Sequence, residues 1–134
     1  MSIRRWLFPK GYRAAYHYNR GTVSYVAGSF LLAEAHLREA VNLWPRFPEA
    51  LHNLGLALVA QDRIEDAIEV YEQALSQRPR FPEAINNYGI ALAKLGRIEQ
   101  AMDAFHEALR QKPDYLKARE NLEQIARIVD RHIQ

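Results

Sequence analysis

The sequence contains no cysteine, which excludes disulfide bonds and thiolate chemistry. It also lacks long apolar runs: the longest, at residues 54–60, is far too short to cross a bilayer. The N-terminus has neither the apolar core nor the small-residue cleavage site of a secretory signal. We therefore expect a protein of the cytoplasm or of an organelle stroma, and these features disfavour a membrane partner.

Acidic residues are absent from the first twenty positions, where five basic residues give a local charge of +5. Because the formal net charge of the whole chain is +2, the remainder carries −3. A domain that binds nucleic acid would be expected to carry a basic stripe along its body. The distribution of charge therefore indicates that nucleic acid is not the partner.

No set of residues has the pattern of a catalytic or metal site. The histidines do not recur with carboxylates at the spacings that metal ligands need, and the nearest pair is His52 with Glu49. We interpret His52 as an ordinary polar residue on a helix face. The glycines are dispersed rather than gathered into a phosphate-binding loop. We therefore expect no enzymatic activity, no metal and no cofactor.

A stretch of 34 residues occurs twice in succession, at residues 48–81 and 82–115. Both copies begin with Pro-Glu-Ala, contain the triplet Arg-Ile-Glu, and share an asparagine, a glycine and a proline in register. Residues 14–47 form a more divergent copy one period upstream, and residues 116–134 begin a fourth unit that stops after one helix. A fixed period of this length indicates units that stack on one another.

Each copy has two blocks of apolar residues at helical spacing, separated by a short segment that contains Asp62 or Gly96. Both residues can end a helix at positive φ, so each copy is predicted to form a helix, a turn and a second helix. Gly55 and Gly89 lie in mid-helix, where glycine costs about 1 kcal/mol relative to alanine, and close helix packing would offset that cost. The predicted helices span residues 14–27, 30–44, 48–61, 64–77, 82–95, 98–111 and 115–132.

The two full copies carry matching residue types at seven positions in register. These are Leu54, Gly55, Leu58, Ala67, Tyr71, Ala74 and Pro79 in one copy, and Tyr88, Gly89, Leu92, Ala101, Phe105, Ala108 and Pro113 in the next. This pattern resembles the tetratricopeptide repeat (TPR). The resemblance implies an all-α fold, a right-handed α-solenoid of three helix–turn–helix repeats at residues 14–47, 48–81 and 82–115. A capping helix would follow at residues 116–134, and a basic, aromatic arm would precede at residues 1–13.

The resemblance also implies that a protein or peptide binds on the concave face, which the first helix of each repeat lines. One position on that face is asparagine in every unit, at one-period spacing: Asn19, Asn53, Asn87 and Asn121. Because an amide both donates and accepts hydrogen bonds, such a ladder would hold a peptide backbone. The alternative is that these amides only bridge adjacent helices.

The other candidates on this face indicate a ligand with an apolar or aromatic anchor. They are Tyr18, Tyr25, His52, Leu56 and Ile90. Glu49 and Glu83 occupy the inner edge, where family members that clamp a C-terminal carboxylate use basic residues. A clamp of that kind is therefore disfavoured.

We interpret the chain as an adaptor that binds an extended or short helical segment of a partner protein, in the manner of an assembly factor or co-chaperone. The alternative is a self-assembling structural protein, a homo-oligomer whose groove is filled by a neighbouring copy. The arm keeps this alternative open, because Trp6, Leu7 and Phe8 would each gain about 1.5–3 kcal/mol on burial. They would cover the edge of the first repeat, a second copy of the chain, or an acidic partner or membrane surface.

Overall fold

The computed structural model describes residues 9–133, which form seven α-helices and no strand. The helices are α1 (Lys10–Val26), α2 (Phe30–Leu43), α3 (Pro48–Ala60), α4 (Ile64–Gln77), α5 (Pro82–Lys94), α6 (Ile98–Gln111) and α7 (Leu116–Ile133). The predicted all-α class is confirmed, and six of the seven helices lie within one residue of their predicted bounds. Pro48 and Pro82 open α3 and α5, where the fixed φ of proline suits the first helical position.

The first helix differs from its prediction, because it begins at Lys10 rather than at residue 14. Gly11 lies inside its first turn. The ring of Trp44 packs on this glycine, so that a Cβ at position 11 would lie 3.2 Å from Trp44 Cε3. Residues 10–13 therefore belong to α1 and not to the arm, while Trp6, Leu7 and Phe8 lie outside the described residues.

The turns within the repeats have the predicted backbone geometry. Gly28, Asp62 and Gly96 follow α1, α3 and α5, with φ values of 81°, 60° and 79°. In the second repeat, Arg63 N donates to Leu58 O at 2.9 Å, which satisfies a carbonyl at the end of α3. The same turn geometry thus occurs in all three repeats, with aspartate replacing glycine in one of them.

Close packing within each repeat occurs at the predicted glycines, and a side chain of the second helix makes the contact. A Cβ at Gly55 would lie 2.6 Å from Tyr71 Cζ, and one at Gly89 would lie 2.7 Å from Phe105 Cε1. Both rings are buried. The paired helices can approach this closely only because glycine has no side chain at these positions. This explains glycine in mid-helix despite its low helix propensity.

The helices stack in chain order and form two layers. The odd-numbered helices α1, α3, α5 and α7 each contact the next odd-numbered helix, and they form what we call the inner layer. Among residues 9–133, α2, α4 and α6 make no such contacts with one another. Because neighbouring helices approach more closely in the inner layer, that layer forms the concave face. No helix in the described range has the length and apolarity needed to span a membrane.

Candidate functional site

Three of the four predicted asparagines join neighbouring helices of the inner layer. Asn53 Nδ2 donates to Thr22 Oγ1 at 3.1 Å and so links α3 to α1. Asn87 Nδ2 donates to His52 Nε2 at 2.9 Å, and Asn121 Nδ2 donates to Asn86 Oδ1 at 3.0 Å. These two acceptors occupy equivalent repeat positions, whereas Thr22 lies one turn further along its helix. The helix-bridging role that we gave as the alternative is therefore present. A ligand would meet the carboxamide oxygens of these residues and the one N–H that each retains.

Asn19 differs from the other members of the ladder because the described residues include no earlier repeat for it to contact. Its side chain is exposed and makes no hydrogen bond to another described residue. Hydrogen bonds within the fold therefore orient three of the four amides, and no such bond orients Asn19.

His52 lies in the joint between the second and third repeats, rather than on an open helix face. Its ring centroid is 5.0 Å from that of Phe81 and 6.1 Å from that of Tyr71. Burial lowers the His52 pKa to about 4; the Glu83 carboxylate opposes this shift, and the Arg78 guanidinium adds to it. The ring is therefore neutral at pH 7, and its Nε2 accepts the hydrogen bond from Asn87.

Apolar side chains run across the inner layer and form a partly exposed surface, which we call the apolar stripe. Its members come from all four inner helices: Tyr25, Val26, Leu56, Val59, Ile90, Ala93 and Ile128. Val26 is 80% exposed and Ile128 is 43% exposed, whereas the others are half-buried. The stripe includes three of the predicted site residues, Tyr25, Leu56 and Ile90. Tyr18 instead packs on Phe47, with 5.0 Å between ring centroids.

The stripe deepens into a cleft between α5 and α7. The cleft has a volume of about 240 Å³, and its apolar lining includes Ile90, Phe105 and Ile128. Lys94 also lines the cleft; it is exposed and forms no ion pair with another described residue. The concave face therefore offers an apolar recess beside an uncompensated positive charge. This recess cannot be predicted from the sequence, because it depends on how α7 lies against α5.

The acidic edge of the inner layer is neutralised within the repeats. Glu49 Oε1 pairs with Arg78 Nη1 at 2.6 Å, and Glu83 Oε1 lies 3.7 Å from Lys112 Nζ. Each cation also lies over an aromatic ring, at 4.4 Å from the Phe81 centroid and 5.0 Å from the Tyr115 centroid, respectively. The basic residues at this edge therefore contact glutamates of their own repeats. Their recurrence one period apart was visible in the sequence, but their pairing was not.

A histidine pair that the sequence did not predict joins the two helices of the first repeat. The Nδ1 atoms of His17 and His36 lie 3.0 Å apart, and burial lowers the His36 pKa, with further contributions from His17 and Arg20. No group of three or more potential metal ligands occurs within residues 9–133. The geometry is that of a hydrogen bond between the two imidazole rings.

Comparison with known proteins identifies the repeat type. A family model described as a tetratricopeptide repeat matches residues 52–116. No curated protein sequence matches the chain. Residues 52–116 thus carry tetratricopeptide repeats, and the fold of the chain is the TPR superhelix.

Solved TPR domains have the same fold at low sequence identity. The first TPR of Spaghetti (RPAP3), bound to the HSP90 peptide SRMEEVD, is 18% identical, with a TM-score of 0.87 over 90% of this chain and 95% of that chain. The Arabidopsis OM64 TPR domain is 18% identical, with a TM-score of 0.86 over 88% and 98% of the two chains. The second TPR domain of human RPAP3, in complex with the HSP70 peptide SGPTIEEVD, is 20% identical, with a TM-score of 0.82 over 85% and 95%.

Proposed function

We propose that the chain is a non-catalytic adaptor that binds a segment of a partner protein on its concave face, as an assembly factor or co-chaperone does. The observation that carries this proposal is the apolar stripe, which crosses all four inner helices and remains partly exposed. Apolar side chains left exposed on one face of a protein are typical of interaction sites. The carboxamide oxygens of Asn53, Asn87 and Asn121 add fixed acceptors beside it.

The ligand that we propose differs from the peptides held by the two RPAP3 domains. Both of those peptides end in Glu-Glu-Val-Asp, so they present several negative charges. In this chain, Glu49 and Glu83 lie at the inner edge, and Arg78 and Lys112 are paired with them. An acidic tail at this edge would displace those pairs or face like charge, which is costly. An apolar anchor fits the concave face better.

The alternative is self-assembly through the N-terminal end of the solenoid. Tyr16 and Val23 are 49% and 62% exposed in α1. One period later, the same positions hold Ala50 and Ala57, which are fully buried against the preceding repeat. The first repeat thus has larger apolar side chains on the face that is buried in the repeat that follows it. A second copy of the chain is one partner that would cover it.

Photo-crosslinking from the concave face tests the proposal and separates it from the alternative. A photo-reactive amino acid would replace Leu56 in the full chain, expressed in the cells that make it. A matched control would carry the same amino acid at Leu31, which is 75% exposed on α2 outside the inner layer. We expect position 56, and not position 31, to crosslink to a different protein.

Two outcomes would overturn the proposal. An adduct from position 56 that contains a second copy of the chain supports self-assembly in place of the adaptor. Equal crosslinking from positions 56 and 31 shows that the concave face does not select a ligand. Mass spectrometry of the crosslinked peptides distinguishes these results.

A further inference from the structure

We infer, on the basis of the proposed function, that the bound segment is an amphipathic α-helix. Its apolar face would lie on the apolar stripe, and an acidic residue would contact Lys94. The sequence left both an extended ligand and a helical ligand open. The hydrogen bonds and charges of the inner layer separate the two.

The inner layer offers few hydrogen-bond partners for the backbone of an extended ligand. An extended segment must find partners for its own N–H and C=O groups, and leaving them unpaired on an apolar surface costs free energy. In this chain, Asn53, Asn87 and Asn121 each use one amide N–H within the fold, and the oxygen and second N–H that each retains occur only once per repeat. Thr22 Oγ1 donates to Tyr18 O at 2.9 Å, so it too is engaged. A helix satisfies its own backbone and needs none of these groups.

The distance between equivalent sites on neighbouring inner helices matches the spacing of residues on one face of a helix. Packed helices lie about 8–10 Å apart, so equivalent sites on the inner layer recur at about that distance. Residues i and i+7 of a ligand helix are about 10.5 Å apart along its axis and share one face. One anchor would enter the cleft lined by Ile90 and Ile128, and another would reach Leu56 and Val59 one repeat earlier. The stripe therefore matches a helix with apolar residues every two turns.

The positive charge of Lys94 lies at one end of the apolar stripe. Lys94 lines the cleft and has no ion-pair partner among the described residues. The equivalent positions one and two periods earlier are Ala60 and Val26, which carry no charge. An acidic residue beside the anchor would therefore meet a cation at one end of the stripe only. This asymmetry sets the direction in which the ligand helix lies, since complementary charges fix register and orientation.

Selection from a random library of peptides, each about 16 residues long and displayed on phage, tests the inference with the full chain as bait. Counter-selection would use the variant Leu56→Asp with Ile90→Asp, checked by thermal melting. If that variant melts far below the parent chain, Ile128→Asp replaces it, because Ile128 is 43% exposed. We expect enriched peptides with apolar residues at i, i+3 or i+4, and i+7, and with an acidic residue adjacent.

Synthetic versions of the enriched peptides give the second readout. We expect them to gain helical circular dichroism on binding. Lys94→Glu should weaken binding about 3–10-fold, and replacing the acidic residue of the peptide by lysine should restore it. A charge exchange of this kind isolates the contact from any general effect of the substitution.

The outcomes separate failure of this inference from failure of the proposed function. Enriched peptides that contain proline, or that alternate apolar and polar residues and gain no helix, overturn the helical ligand but leave a concave binding site. Lys94→Glu without effect on affinity overturns the acidic contact. A selection that returns no peptide dependent on Leu56, Ile90 or Ile128 overturns the proposed function and this inference together.

Discussion

The ring of Tyr71 packs directly on the backbone of Gly55, so closely that a Cβ at position 55 would lie 2.6 Å from Tyr71 Cζ. The same relationship holds one period later between Gly89 and Phe105. This contact sets the distance between the two helices of a repeat. Since the inner layer is built from the first helix of every pair, the glycine–ring contacts also set the shape of the concave face.

Gly55→Ala tests this contact. Helix propensity alone predicts a gain of about 1 kcal/mol in the free energy of unfolding. We expect a loss of about 1–3 kcal/mol instead, because the new methyl group overpacks the buried ring. Urea unfolding measures the difference. Glu65→Ala, at an exposed site on α4, serves as the control and should change stability by about 0.5 kcal/mol or less. A more stable Gly55→Ala variant would contradict the account.

Tyr71→Phe tests the cost of a buried hydroxyl. The Tyr71 side chain is fully buried, burial raises its pKa, and its hydroxyl has no hydrogen-bond partner among residues 9–133. Phenylalanine already occupies the equivalent position in the next repeat, at Phe105. An unpaired buried polar group costs about 1–3 kcal/mol. We therefore expect thermal melting to show equal or higher stability for Tyr71→Phe, and a clear loss would show that the hydroxyl has a partner.

Asp62→Gly tests the turn between α3 and α4. Asp62 has a φ of 60°, and the equivalent turns use Gly28 and Gly96. Non-glycine residues in this region are strained by about 1 kcal/mol, although glycine gains chain entropy on unfolding. We expect Asp62→Gly to be neutral or to raise the free energy of unfolding by up to about 1 kcal/mol. Asp62→Ala should lower it, so the reverse order in chemical denaturation would contradict this geometry.

His52 should make the stability of the chain depend on pH. Its pKa is about 4 in the folded chain, against 6.5 when unfolded. The unfolded chain binds the proton more tightly than the folded chain does. The part of the free energy of unfolding that depends on neutral His52 is therefore present above pH 6.5 and is lost as the pH falls towards 4. The loss is about 2–3 kcal/mol.

The matched variant for this prediction is His52→Asn, since asparagine occupies the equivalent position at Asn86 and accepts a hydrogen bond there. Urea unfolding of both chains at pH 7.5 and 4.5 cancels the groups that they share. We expect the parent chain to lose more stability than His52→Asn over this interval. Parallel losses would show that His52 titrates normally.

The 34-residue period carried most of the fold information. It placed six helices within one residue, the positive-φ turn at Asp62, and the close contact at Gly55. A period identifies equivalent positions but does not say which neighbour a side chain meets. The start of α1 was therefore predicted at residue 14 instead of Lys10, because the sequence does not show that Trp44 packs on Gly11.

The candidate site was predicted less completely than the fold. The resemblance to the tetratricopeptide repeat placed the candidate site on the first helix of each repeat, and the stripe residues Leu56 and Ile90 are partly exposed there. The direction of each amide hydrogen bond depends on side-chain conformations that spacing does not determine. The cleft beside Lys94 also escaped prediction, since it requires the packed position of α7.

The central claim is that a partner segment binds on the apolar stripe of the concave face. Its most direct test is the dissociation constant of a selected, fluorescently labelled peptide, measured by anisotropy for three chains: the parent, Leu56→Asp with Ile90→Asp, and Leu31→Asp. Central apolar contacts are often worth 2 kcal/mol or more each, so we predict at least about 100-fold weaker binding for the double variant. The Leu31→Asp control should bind within about twofold of the parent. Equal affinity for all three folded chains would contradict the account.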